Sequence, residues 1–85
     1  MMYEMYLSEV IEKKFHKLAK KNKKQLSMID KKLKEIISDP YHFKPLKGDM
    51  KGRRRVHIDS SFVLIFAIEG KKIIILDYDH HDNIY

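Results

Sequence analysis

RRRVHIDSSFVLIFAIEGKKIIILDY, residues 53–78, holds three apolar runs separated by two short polar breaks. Residues 53–59, 62–68 and 72–78 read as strands. The breaks Asp59-Ser60-Ser61 and Glu69-Gly70-Lys71 are short enough for hairpins, so the strands form an antiparallel meander. The middle run, Phe62 to Ile68, is apolar throughout and reads as buried. The first run alternates. In an extended chain Arg53, Arg55 and His57 point to one face, while Val56 and Ile58 point to the other. The meander therefore has one face for a core and one face carrying two cations and an imidazole.

Upstream of the meander the apolar period changes from two to about 3.6. Ile11, Phe15 and Leu18 fall on one helical face, and Ser8 is placed to cap that helix. Leu26, Ile29, Leu33, Ile36 and Ile37 form a second stripe, which Asp39-Pro40 ends because the residue before proline disfavours the α region. Only residues 21–24 separate the two helices, which predicts a helical hairpin. Residues 2–7 read as a first strand. Residues 41–52, punctuated by Pro45, Gly48 and Gly52, read as a loop. The fold class is α+β in the order β-α-α-β-β-β, a helical hairpin packed on one face of a small, mostly antiparallel sheet. It forms one domain over residues 1–85.

Eighty-five residues support one core and little room for a deep cofactor cavity. Cysteine is absent, which excludes a disulfide framework and a thiolate zinc site and fits a reducing cytoplasm. Residues 1–10 lack the basic start and apolar run of a secretory signal, and no apolar run is long enough to cross a membrane. The net charge of +6 is unevenly placed. Ten lysines lie between Glu12 and Glu35, and six cations lie between Lys44 and Arg55 against Asp49 alone. Two basic blocks on a small domain point to a polyanionic partner. Lysines on helix faces also serve solubility, but three adjacent arginines are an unusual choice for that purpose alone.

The chemistry-bearing residues fall in two stretches. Residues 44–57 form a cationic, glycine-jointed segment that runs into a strand with His57. Residues 79–85, Asp-His-His-Asp-Asn-Ile-Tyr, add two histidines and an aromatic ring. Cations to hold phosphate, imidazoles to move protons and a ring to stack on a base are what cleavage of RNA needs. Strand alternation lets only one of His80 and His81 face a cleft, and His80 is assigned a structural or solvent-facing place. Asp79, His80, His81 and Asp82 resemble a metal-ligand set, but adjacent residues are poorly spaced for one ion, so no metal or cofactor is expected. His16 and His42 read as surface or loop residues.

The length, the element order and the run Pro45-Leu46-Lys47-Gly48-Asp49-Met50-Lys51-Gly52-Arg53-Arg54-Arg55-Val56-His57-Ile58, with Leu64-Ile65-Phe66, His81 and Tyr85, resemble the RelE/ParE superfamily of small bacterial and archaeal toxins. The YafQ- and YoeB-like messenger-RNA interferases are the nearest branch. The resemblance covers essentially the whole chain. It implies an endoribonuclease that cuts messenger RNA in the ribosomal A site, and a cognate protein antitoxin, expected to be acidic and amphipathic. His57 and His81 match YafQ-type active-site histidines, and Tyr85 matches a terminal aromatic residue. Lys44 stands where YafQ has a further histidine. Val63 and Asp77 stand where many relatives carry arginine, so Arg55, Lys47 or Lys51 has to supply the phosphate-stabilising cation.

The implied reaction needs no metal. The 2′-hydroxyl attacks the adjacent phosphorus, a base takes its proton, an acid protonates the leaving 5′-oxygen, and cations stabilise the phosphorane. His81 is assigned as general acid and His57 as general base or as a partner orienting it. Tyr85 either stacks on a base or hydrogen-bonds the phosphate. Lys44, Lys47, Lys51, Arg53 and Arg55 are the candidate phosphate and RNA contacts. The rival class is non-enzymatic: ParE-type relatives poison DNA gyrase, and a degraded toxin serves only to bind an antitoxin.

Overall fold

The computed structural model describes residues 3–45 and 52–84. Strand β1 (Glu4–Leu7) leads into helix α1 (Glu9–Lys21) and helix α2 (Lys23–Ser38). A single 3-10 turn, Pro40–His42, follows. Then come β2 (Arg53–Ile58), β3 (Phe62–Glu69), β4 (Lys72–His80) and a one-turn helix α3 (His81–Ile84). The expected element order holds throughout. β4 runs two residues beyond its expected end at Tyr78, and this extension carries Asp79 and His80.

Local signals account for the helix ends. Ser8 Oγ accepts from the Ile11 amide at 3.2 Å. The hairpin break narrows to one residue, Asn22: its backbone N–H reaches the Leu18 carbonyl to close α1, and its side-chain Oδ1 accepts from the Gln25 amide to open α2. One residue thus caps both helices, which satisfies orphan backbone groups on either side of the turn. α2 stops before Pro40, where the sequence places its end.

The sheet order is β1-β4-β3-β2, with β1 parallel to β4 and the other pairs antiparallel. The helices cover one face. Ile11, Ile29, Ile36, Val56, Ile58, Leu64, Phe66, Ile73, Ile75 and Tyr78 form the core between helices and sheet. Complete burial of one such aliphatic side chain is worth about 1.5–3 kcal/mol, so this layer dominates stability. Tyr78 reaches from β4 across the core and donates its hydroxyl hydrogen to Gln25 Oε1 on α2. That pairing satisfies the buried polar side chain of Gln25. Phe62 stacks on the Tyr78 ring at 5.4 Å, and Phe15 meets its edge at 5.8 Å.

The other sheet face is built in rows. His57 pairs with Val63, which pairs with Asp79; Arg55 pairs with Ile65, which pairs with Asp77. Val63 and Ile65 are buried although they lie opposite the helices. Beyond Ile65 the register slips, leaving Leu76 as an extra residue of a bulge in β4. α3 folds back onto β3 and β4, and the His81 amide donates to the Ser61 carbonyl at 2.9 Å.

Candidate active site

Arg53, Arg55 and His57 lie on the face away from the helices, as strand alternation requires, while Val56 and Ile58 are buried beneath it. The chain before the undescribed segment 46–51 runs alongside the outer edge of β2. The Arg55 amide donates to the Lys44 carbonyl at 3.2 Å, and Pro45 forms an antiparallel bridge with Arg54. A cleft of about 400 Å³ opens between these segments, lined by His42, Phe43, Lys44, Arg55, Val56 and His57. Three of the expected phosphate or proton-transfer residues, Lys44, Arg55 and His57, therefore share one wall system. Arg53 lies further along β2 and is not among its lining. Lys47, Lys51 and Tyr85 fall outside the described residues.

The three adjacent arginines divide their work. Arg54 points to the opposite side of β2 from Arg53 and Arg55. Its Nη1 donates to the Phe43 carbonyl at 2.6 Å, and its guanidinium lies 5.0 Å from the centre of the Tyr41 ring. Phe43 in turn packs edge-on against Phe66 of the core at 5.9 Å. Arg54 and Phe43 therefore pin the 3-10 turn and the segment after it against β2, which builds the far wall of the cleft. This explains the third arginine without assigning it to phosphate.

His42, expected as a surface or loop residue, is exposed in the 3-10 turn and lines the cleft. The signal was available in the order His42-Phe43-Lys44. If Phe43 is anchored inward, its two polar neighbours in an extended chain turn outward together.

His81 lies just beyond the end of β4, its ring stacked on His80, whose own ring packs edge-on against Phe62 at 5.5 Å. His57 and Asp79 flank Val63 across two strand spacings, on the order of 10 Å. His81 follows two residues after Asp79, at the start of α3. The strand alternation expected to separate His80 from His81 fails here. β4 ends at His80 and the chain turns helical at His81, so the two rings come together, stacked at 4.6 Å and 27°. The same turn gathers His80, His81 and Asp82, which offer one donor atom each, all within 4.8 Å of one another. The objection that adjacent ligands are poorly spaced holds for a strand and does not hold at a strand-to-helix junction.

A charge network fixes this region. Lys14 of α1 donates to the Tyr78 carbonyl at 2.8 Å and to Asp77 Oδ1 at 3.2 Å, and lies 3.7 Å from Asp79 Oδ2. Asp79 Oδ1 accepts from Asn83 Nδ2 at 3.2 Å and from the His80 amide at 2.7 Å. The Asn83 bond first, then the His80 amide and the nearby Lys14 charge, hold the Asp79 carboxyl below the usual carboxylate range. Asp77 shares Lys14 with Asp79 in a partly exposed ion pair.

Comparison with known proteins agrees with the fold and the family. The model of the ParE toxin of type II toxin–antitoxin systems matches residues 6–85. An uncharacterized protein of Methanosarcina mazei is 49% identical, covering 99% of this chain and 100% of that one. A protein of Methanocaldococcus jannaschii, provisionally named toxin RelE4, is 45% identical, covering 99% of this chain and 92% of that one. Among solved structures, YoeB in the YoeB–YefM complex of Staphylococcus aureus superposes with a TM-score of 0.81 at 19% identity over 93% of this chain and 97% of that one. YafQ of Escherichia coli superposes with a TM-score of 0.75 at 20% identity, covering 98% of each chain. A near-complete match to the family model, joined to a relative sharing almost half its residues end to end, makes this chain a ParE-family toxin of a type II toxin–antitoxin system, within the RelE/ParE superfamily.

Proposed function

We propose that the toxin is a ribosome-dependent endoribonuclease that cuts messenger RNA in the A site by metal-independent acid–base chemistry. The observation that carries this reading is the cleft in which Lys44, Arg55 and His57 converge, on the sheet face that leads across Val63 to Asp79, two residues before His81. A phosphodiester laid in that cleft meets two cations and the His57 imidazole, with His81 proposed to reach it from beyond the end of β4. His57 takes the 2′-hydroxyl proton or orients the group that does, His81 protonates the leaving 5′-oxygen, and Arg55 with Lys44 stabilises the phosphorane charge. Tyr85 is the proposed base-stacking or phosphate-bonding partner. The likeness to YafQ and YoeB supports the same reading at the level of the fold.

The proposed partner is a cognate antitoxin of acidic, amphipathic character. YoeB of Staphylococcus aureus is in complex with YefM. In this toxin the helical hairpin carries an apolar groove of about 430 Å³, lined by Phe15, Leu26, Ile29 and Leu33 and edged by Lys23, Ser27 and Asp30. An apolar floor on a chain of net charge +6 suits a partner with one apolar and one acidic face.

A second reading, a gyrase poison, is favoured by the ParE family match and by Asp77 standing in place of an arginine. One experiment separates the two. Purified toxin is added to translating ribosomes and the message ends are mapped, beside a gyrase supercoiling assay. New ends inside reading frames with unaffected gyrase support the nuclease. Intact messages with trapped gyrase–DNA complexes overturn it.

A further inference from the structure

We propose that His80, His81 and Asp82 form a binding site for a divalent transition-metal ion, and that an ion held there switches off the RNA-cleaving face by engaging His81. The second part rests on the nuclease reading above; the first does not.

The geometry is that of a partly assembled coordination sphere. His81 Nδ1 lies 3.0 Å from Asp82 Oδ1, and His80 Nδ1 lies 3.5 Å from Asp82 Oδ2. Metal–nitrogen and metal–oxygen bonds to such ions are about 2.0–2.2 Å, so ligands at tetrahedral angles sit roughly 3.4 Å apart. These two spacings lie near that value and the whole donor set lies within 4.8 Å; His80 Nδ1 accepts from the Asp82 amide at 3.2 Å, a bond that an ion on that nitrogen would replace. Stacking holds the two imidazoles side by side, and each has its Nδ1 within 3.5 Å of an Asp82 carboxylate oxygen. Two imidazoles and one carboxylate suit zinc, copper or nickel, whereas magnesium and calcium prefer all-oxygen sites.

The backbone beneath these donors is fixed independently of them. The His81 amide is tied to the Ser61 carbonyl, and the His80 amide to Asp79 Oδ1. Asp79 is occupied by these bonds, by Asn83 and by Lys14, so it supports the turn from outside the donor set. Three protein ligands leave further positions for water, which makes binding reversible. An imidazole that has given its lone pair to a metal is no longer free to take up and release a proton, and the ion with its waters fills the space in front of the ring. His80, which has no part in the proposed cleavage, thereby gains a role beside His81.

The test uses the tag-free full chain. Zinc chloride is titrated by calorimetry, with imidazole resonances followed by NMR and magnesium chloride as the counter-probe. One zinc ion per chain is expected, and none of magnesium. His80→Gln and Asp82→Asn should each weaken zinc binding at least tenfold while leaving the amide spectrum of the folded chain intact. His16→Gln and His42→Gln should leave it unchanged. Absence of zinc binding, or binding indifferent to both His80→Gln and Asp82→Asn, overturns the site. In the ribosome assay zinc should inhibit the wild type, and a chelator should reverse the effect. Judged against its own zinc-free rate, His80→Gln should resist zinc. Equal fractional inhibition of wild type and His80→Gln overturns the switch and leaves the site standing. If wild type never cleaves, the nuclease reading and the switch fall together, and the calorimetry still decides the site.

Discussion

At the β2 edge the cleft is positioned by backbone hydrogen bonds and apolar packing: Arg55 pairs with Lys44 through the main chain, and Phe43 is seated against Phe66. At the β4 end the corresponding work is done by charge. Lys14 bridges Asp77, the Tyr78 carbonyl and Asp79, and Asp79 in turn holds Asn83 and the His80 amide. The first arrangement leaves Lys44 and His57 exposed at the cleft. The second sets a single lysine against Asp77 and Asp79, with Asp82 beside His81, so the region around His81 is set in place and carries net negative charge. Basic recognition and proton transfer are thus supported by different forces, and they should fail differently.

The largest contrast concerns the histidine at the charged end. His81→Ala should slow message cleavage by about 10²–10⁴-fold, the usual contribution of a positioned acid or base. Melting temperature and antitoxin capture should stay near wild type. Near-normal cleavage by this variant would remove His81 from the chemistry and leave the β4 end a purely structural region.

The adjacent arginines sharpen the contrast at the other edge. Arg55→Lys should reduce cleavage about tenfold or more with little change in stability, because an ammonium cannot reproduce a bidentate guanidinium–phosphate contact. Arg54→Ala should act the other way round. It removes a charged donor from the Phe43 carbonyl, so stability should drop by about 1–3 kcal/mol in a denaturant titration, and cleavage should suffer through a loosened cleft. Indistinguishable profiles for the two changes would mean that neither guanidinium has the separate role assigned here.

Tyr78 links both halves through the core. Tyr78→Phe leaves the buried Gln25 oxygen without its partner and should cost about 1–3 kcal/mol. Burial, then the nearby Asp59 and Asp79 charges, push the Tyr78 hydroxyl up to about 12. The folded chain therefore keeps this proton after an unfolded chain has lost it. The resulting stability is complete below about pH 10 and is lost as pH rises toward 12. Absorbance of tyrosinate against pH should show one late-titrating ring that Tyr78→Phe abolishes.

The smallest effects separate the paired lysines. Lys14→Met should weaken the β4 end by about 0.2–1 kcal/mol in a salt-dependent manner, since its contacts are half-exposed. Broadened NMR signals should then appear in α3. Lys13→Ala should change stability by less than about 0.5 kcal/mol and leave cleavage unaltered, because Lys13 pairs with an exposed Glu9 at 3.8 Å.

Local rules carried much of this architecture. Ser8, Asp39-Pro40 and the alternation of Arg53, Arg55 and His57 each act within a few residues, so their consequences can be read from the chain itself. Lys14 and Arg54 could not be assigned in that way. Lys14 looks like its neighbours on a lysine-rich helix, and its partners lie at the far end of the sequence. Arg54 was legible as pointing inward, but its target, the Phe43 carbonyl, depends on how the loop returns to β2. His80 and His81 mark a third kind of gap. Period-two reasoning is sound inside a strand, and it stops applying where β4 gives way to α3.

The parallel pairing of β1 with β4 bears on when the toxin becomes dangerous. Glu4 is aligned with Lys72, so the opening strand has nothing to join until almost every other element has been made. Closing so long a loop costs entropy that no local contact returns, which makes it a late event in folding. On the ribosome, β1 emerges early and waits, while β4 and His81 emerge together near the finish. The sheet, and with it the face proposed to attack messenger RNA, is completed only once β4 has cleared the exit.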